Sequence, residues 1–154
     1  MIIFRSLPSI TLEISSKFGM RVHPITGEKK MHQGVDIKPS IEKAPVLAVM
    51  CGKICENYWN SARGWVVIID HGMIGGKKAK TLYQHLREKS SLETGSSVLS
   101  GQNIGIMGTT GSSTGIHLHF ELIVDNTPID PEPYLNRFKN NLAGFTNCHL
   151  ISCL

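Results

Sequence analysis

The run Trp65-Val66-Val67-Ile68-Ile69-Asp70 constrains the fold more than any other stretch of the chain. It is β-branched, of strand length, and bounded by Gly64 on one side and by the turn formers His71-Gly72 on the other. Branching at Cβ disfavours helix and suits a pleated surface, so the run reads as a central strand. Shorter runs repeat the pattern. Val35-Asp36-Ile37 ends at Pro39, and a straight strand from Val46 to Cys55 carries Gly52 as a bulge. Ala79 to Leu86 alternates, and Ser96 to Leu99 and Ile104 to Gly108 follow. Fifteen glycines and seven prolines separate them, the punctuation of short strands joined by turns. The expected fold is mainly β.

At 154 residues the chain has the size of one domain able to bury a core. The expected organisation is an N-terminal leader over residues 1–15, one domain over 16–138, and a polar tail over 139–154. Within the domain, residues 16–24 read as an irregular loop, 73–80 as a polar connection, and Asp125-Asn126 as a hairpin turn. The only helix-like stretch is short, Glu132 to Phe138.

A formal charge of +4 favours an anionic partner such as a cell-wall polymer, a nucleic acid or a phospholipid surface. Nucleic acid is disfavoured, because no aromatic cluster or zinc-finger spacing accompanies the lysines, which sit beside turn glycines. No apolar run approaches the ~20 residues of a membrane span. Met1-Ile2-Ile3-Phe4 is interrupted by Arg5 and Pro8 and lacks the form of a signal peptide. On a straight strand Cys51 and Cys55 lie ~13 Å apart, beyond the ~7 Å reach of a disulfide, so free thiols are expected there. Pairing of Cys148 and Cys153 in the tail is left open.

The chemistry concentrates in two motifs. In His117-Leu118-His119-Phe120-Glu121-Leu122, read as a strand, His117 and His119 project from one face and Leu118 and Phe120 from the other. In His32-Gln33-Gly34-Val35-Asp36, even spacing puts His32 and Asp36 on one face, with Gly34 leaving room for a ligand or a close backbone. A buried carboxylate among Val35 and Ile37 needs compensation. A metal ion provides it, and so does a salt bridge or a set of backbone hydrogen bonds. Together the motifs hold the N and O donors of a zinc site, and an open site needs only three protein ligands. One histidine is then left for acid–base work, and His85 is a second spare imidazole if its strand adjoins the others. A reference pKa of ~6.5 suits both. His23, His71 and His149 read as ordinary polar residues.

His32-x3-Asp36, Tyr83-x-His85-Leu86 and Gly115-x-His117-x-His119-Phe120-Glu121 resemble the motifs of the lysostaphin-type zinc endopeptidases, peptidase family M23 of peptidoglycan hydrolases. The segment Phe18 to Gly27 is similar to the family's entry segment, Val66 to Gly72 to its central strand, and Gly101 to Gly115 to the strand and loop before the histidine pair. The resemblance spans about residues 16 to 135. It implies an antiparallel β domain, sheet- or sandwich-like, with its active site in a loop-walled groove. It implies one Zn2+ per chain bound by His32, Asp36 and His119, with His85 and His117 catalytic. The mechanism expected is attack by a metal-activated water, with His117 as general base. His85 would either stabilise the oxyanion or protonate the leaving amine. The substrates implied are peptides of bacterial peptidoglycan, interbridge or stem-peptide crosslink, met outside the cell, in the periplasm or in the wall. With no signal peptide in the chain, a phage-encoded protein or a segment of a larger one fits. Ser40 to Ala44 and the basic stretch Met73 to Lys80 depart from the family pattern. Two alternatives stand beside the enzyme: a catalytically inactive wall-binding or structural module of the same fold, and a zinc site that only stabilises the fold. The oligomeric state is left open.

Overall fold

The computed structural model describes residues 1–22 and 25–144. Its strands are β1 (Ile14–Ser16), β2 (Gly19–Val22), β3 (Lys29–His32), β4 (Val35–Ile37), β5 (Pro45–Leu47), β6 (Gly52–Asn60), β7 (Gly64–Ile74), β8 (Lys77–Leu86), β9 (Ser97–Val98), β10 (Asn103–Ile106), β11 (Leu118–Val124) and β12 (Thr127–Ile129), followed by the helix α1 (Glu132–Gly144). One eight-stranded sheet runs in the order β1-β4-β11-β8-β7-β6-β9, with β12 added to β11. Its pairings are antiparallel. Two ribbons, β2–β3 and β5–β10, complete an all-antiparallel single domain.

Alternation divides the sheet into two faces. Val35 and Ile37 of β4, Val67 and Ile69 of β7, Tyr83 of β8, and Leu118, Phe120 and Leu122 of β11 join the main core. Phe120 sits at its middle, with ring centroids 5.3 Å from Tyr83 and 5.9 Å from Phe4. Burying each large apolar side chain contributes ~1.5–3 kcal/mol, so this face supplies most of the sheet's stability, and a smaller cluster of Val66, Ile68 and Leu82 adds to it. Asp36, Gln84, His119 and Glu121 occupy the intervening positions. Asp36 pairs with His119 and His119 with Gln84 across three adjacent strands.

The first residues enter the same core. Ile2 and Phe4 are buried, Arg5 and Ser6 both donate to the Val49 carbonyl, and the Leu47 N–H donates to the Pro8 carbonyl.

Several local expectations change. Within the 16–24 segment, Gly19–Val22 is more regular than its composition suggests, because β2 pairs residue for residue with β3. The 73–80 connection is a hairpin: β7 and β8 continue into it and turn at Gly75-Gly76, where φ values of 60° and 79° suit the two-residue turns that match strand twist. The chain from Val46 to Cys55 is not one straight strand, since β5 ends at Leu47 and β6 begins at Gly52. Cys55 is free, whereas Cys51 is disulfide-bonded, which corrects the expectation of two free thiols. Cys148 and Cys153 lie outside the described residues, as do His23 and His149. The helix runs well past Phe138, with Leu135 buried in the core and Tyr134 and Phe138 packed against it. The Asp125-Asn126 turn is present, with φ of 49° and 65°. No described helix is long and apolar enough to cross a membrane.

Candidate metal centre

His32 ends β3, Asp36 is the middle residue of β4, and His119 is the second residue of β11. Gly34 lets the β3–β4 connection lie flat on β11: a Cβ there would stand 2.2 Å from the Phe120 carbonyl oxygen. The glycine therefore serves the close approach of backbone and brings His32 and Asp36 onto one ion-sized spot. Asp36 Oδ1 lies 3.1 Å from His32 Nε2 and 2.9 Å from His119 Nδ1, and the two nitrogens are 2.9 Å apart. All three residues are buried.

The far nitrogens decide the tautomers. His32 Nδ1 is 2.7 Å from the Lys17 carbonyl oxygen, which can only accept, so Nδ1 carries the proton and Nε2 is bare. His119 Nε2 donates to the buried Glu121 carboxylate at 3.0 Å, leaving Nδ1 bare. Two imidazole lone pairs and a carboxylate oxygen thus point at one another, an arrangement that needs a cation among them. Two His and one Asp, each ring oriented by a second hydrogen bond, is a donor set suited to zinc. Burial opposes the charge on Asp36; protonated, His119 and His32 outweigh it through hydrogen bonds and charge and hold the carboxyl well below the usual range, a part that a cation takes when their nitrogens are bare. Arg21 adds an ion pair to Asp36 Oδ2 at 3.3 Å and is itself held by Ser16.

Beside these three stand His85 and His117, their rings 4.7 Å apart between centroids. His117 precedes β11 instead of lying in it, and is bridged to Gly108. Its Nδ1 donates to the Gly115 carbonyl at 2.8 Å, so in the neutral ring the bare nitrogen is Nε2, which lies 3.8 Å from Asp36 Oδ1. His85 is built the same way: Nδ1 donates to the Thr110 carbonyl at 2.7 Å, and the Gln84 amide approaches Nε2 at 3.2 Å. Burial is the main reason that the His85 pKa falls to about 4, so it is neutral near pH 7. Its backbone is in the left-handed region, φ 63°, where a non-glycine residue is strained. The β2–β3 side and the 112–117 loop wall a groove of about 700 Å³ over all five residues.

Residues 30–131 match the model of Peptidase family M23. The chain belongs to peptidase family M23. This M23 chain is 36% identical over 128 residues to the DD-carboxypeptidase/endopeptidase Mpg of Neisseria meningitidis serogroup B, covering 83% of this chain and 28% of that protein. It is 38% identical over 119 residues to the peptidoglycan DD-endopeptidase ShyB of Vibrio cholerae, covering 77% and 26%. It spans about a quarter of the length of these curated relatives. Among solved structures, the catalytic domain of the antimicrobial peptidase lysostaphin from Staphylococcus simulans aligns with a TM-score of 0.68 at 34% identity, over 81% of this chain and 92% of that one. A zinc-containing peptidase from Vibrio cholerae aligns with a TM-score of 0.73 at 34% identity, over 84% and 39%.

In this M23 domain the five histidine and aspartate positions singled out from the sequence meet in one groove. His71 is elsewhere, bonded to the Cys51 carbonyl and the Thr81 hydroxyl. Sequence reasoning missed Glu121, although its period-two spacing from His119 put it on the same face. It also left Arg21 and Gln84 without a role. The Lys17 carbonyl carries no side-chain signal that could have announced it.

Proposed function

We propose that the chain is a zinc-dependent endopeptidase that hydrolyses peptide bonds in bacterial peptidoglycan, with one Zn2+ held by His32, Asp36 and His119. The observation that carries this reading is the convergence of three bare donor atoms, His32 Nε2, His119 Nδ1 and Asp36 Oδ1, on one buried spot beside two further imidazoles. Zinc, when bound, supplies Lewis-acid chemistry, bringing the pKa of water toward ~7 and polarising a carbonyl.

The chain's own residues then handle protons and position. His117 is the general base, because its bare Nε2 is nearer to the donor cluster and its ring is fixed by Gly115. His85 is neutral with its only N–H committed to Thr110, so at rest it has no N–H to give an oxyanion. It becomes a donor only after accepting at Nε2 the proton that His117 takes from the attacking water, their rings being 4.7 Å apart between centroids, and that proton then goes to the leaving amine. Arg21 and Glu121 orient Asp36 and His119 from behind. The relatives named as peptidoglycan DD-endopeptidases support the substrate, and action on it implies the wall, the periplasm or the outside of the cell. An inactive wall-binding module would have no need of all five side chains in these orientations.

Digestion of purified peptidoglycans by the zinc-loaded protein, with mass spectrometry of the new termini, tests the proposal. New amine and carboxyl termini are expected at a stem-peptide crosslink or an interbridge. Folded, zinc-loaded protein that releases none from any wall type would overturn it.

A further inference from the structure

The charges lining the groove do not balance. Its cations are Arg21, Lys30, Lys38 and Arg63, and its carboxylates are Asp36 and Glu121. Both carboxylates are committed to the histidines of the metal centre. Arg21 is paired with Asp36, and Lys38 with Glu13 at 2.9 Å. Among the described residues, Lys30 and Arg63 have no acidic partner. They come from different parts of the chain: Lys30 from β3 beside His32, Arg63 from the β6–β7 turn beside His85.

Arg63 sits on a braced backbone. Asn60 Oδ1 accepts from the N–H groups of Ala62 and Arg63, both at 2.9 Å. The Arg63 carbonyl accepts the His85 N–H at 3.0 Å, and the Ala62 carbonyl accepts the Ser112 N–H at 2.9 Å. The backbone of half-buried Arg63 is therefore held at a fixed offset from a proposed catalytic imidazole, and its guanidinium has no counter-charge among the described residues. Guanidinium is the side chain best suited to grip a carboxylate through two parallel hydrogen bonds.

We propose that Arg63, assisted by Lys30, is a specificity determinant that binds a carboxylate of the substrate, so that the groove selects carboxylate-bearing crosslinked stem peptides over neutral glycine-type bridges. The inference rests on the peptidase reading above. It predicts that neutralising substrate carboxylates weakens binding and turnover through Arg63 and not through distant surface lysines.

The test uses two synthetic crosslinked stem peptides that differ only in free or amidated carboxylates. Binding by calorimetry and cleavage are both measured on the zinc-loaded chain. The wild type is expected to favour the free-carboxylate peptide by roughly 10- to 100-fold, the range of a charge-assisted contact. Arg63→Gln should lose that preference, its loss being much larger on the free-carboxylate peptide than on the amidated one, Arg63→Lys should keep part of it, and Lys77→Gln, on the exposed β7–β8 hairpin, should change neither. Equal treatment of the two peptides by the wild type, or equal losses on both in Arg63→Gln, overturns the inference. If neither peptide is cut, the digestion of purified walls decides the peptidase reading separately, and the binding preference still decides the carboxylate claim.

Discussion

Glu121 is 3% exposed and accepts the His119 Nε2–H at 3.0 Å, so it governs a proposed metal ligand without belonging to the donor set. Glu121→Gln keeps an acceptor of nearly the same shape and removes the charge. A charge-assisted hydrogen bond is worth ~1.5–3 kcal/mol against ~1 kcal/mol for a neutral one, so the substitution is expected to weaken zinc binding by ~2- to 30-fold. Glu121→Ala removes the acceptor and leaves a buried N–H without a partner, which moves the loss toward the ~100-fold end of what such supporting residues contribute. Glu121 also helps to raise the proton affinity of His119, against the effect of burial. Competition titration with a chromogenic chelator is therefore done at about pH 8, well above the reference His pKa of ~6.5, where protons compete least. Melting curves of the metal-free variants separate affinity from misfolding. Zinc affinities within twofold of wild type in both variants would refute the claim that the Glu121 contact orients His119 for a metal.

Gly34→Ala drives a methyl into the Phe120 carbonyl oxygen, and a loss of at least ~2 kcal/mol in urea unfolding is expected because the clash is with backbone; an unchanged midpoint would contradict the packing argument. His117→Ala should retain zinc and lose ~10²-fold or more in turnover, and loss of the metal as well would reassign His117 as a ligand. Chelation should lower the melting temperature and leave the transition cooperative, since the main core lies on the opposite face of the sheet; unfolding on chelation would favour a purely fold-stabilising metal. Burial lowers the His71 pKa, with its bond to the Cys51 carbonyl opposing. A histidine depressed in the folded state contributes stability that is present above its unfolded pKa of ~6.5 and lost as pH falls through the folded value. The contribution of His71 should accordingly be lost below about pH 6.5, so that in a melting series of metal-free protein the difference between wild type and His71→Asn shrinks as pH falls through that range.

The β character of the chain was legible because Trp65 to Asp70 and the strands around it carry their signal locally, in branching and in the glycines that end them. What escaped were features decided by pairing. The segment 16–24 looks irregular alone, yet Gly19 to Val22 becomes a strand once Lys29 to His32 lies beside it. Lys77 and Lys78 look like loop residues and are strand residues because Gly75-Gly76 turns tightly enough to keep β7 and β8 in register. Ile2 and Phe4 read as part of a leader, and Phe4 is packed against Phe120 and Tyr134, more than a hundred residues away. At the site, even spacing pointed to the right residues although neither pair shares a strand: His32 ends β3 while Asp36 lies in β4, and His117 precedes β11. It could not supply the tautomers, because these follow from the carbonyls of Lys17, Thr110 and Gly115, and backbone atoms leave no trace in residue type.

The central claim is that His32, Asp36 and His119 hold one zinc ion poised for hydrolysis. X-ray absorption at the zinc edge, on protein titrated to a measured stoichiometry, tests it most directly. The account predicts one zinc per chain in a shell of nitrogen and oxygen at ~2.0–2.2 Å, abolished by Asp36→Ala. A sulfur shell at ~2.3 Å, or full zinc occupancy persisting in Asp36→Ala, would contradict it.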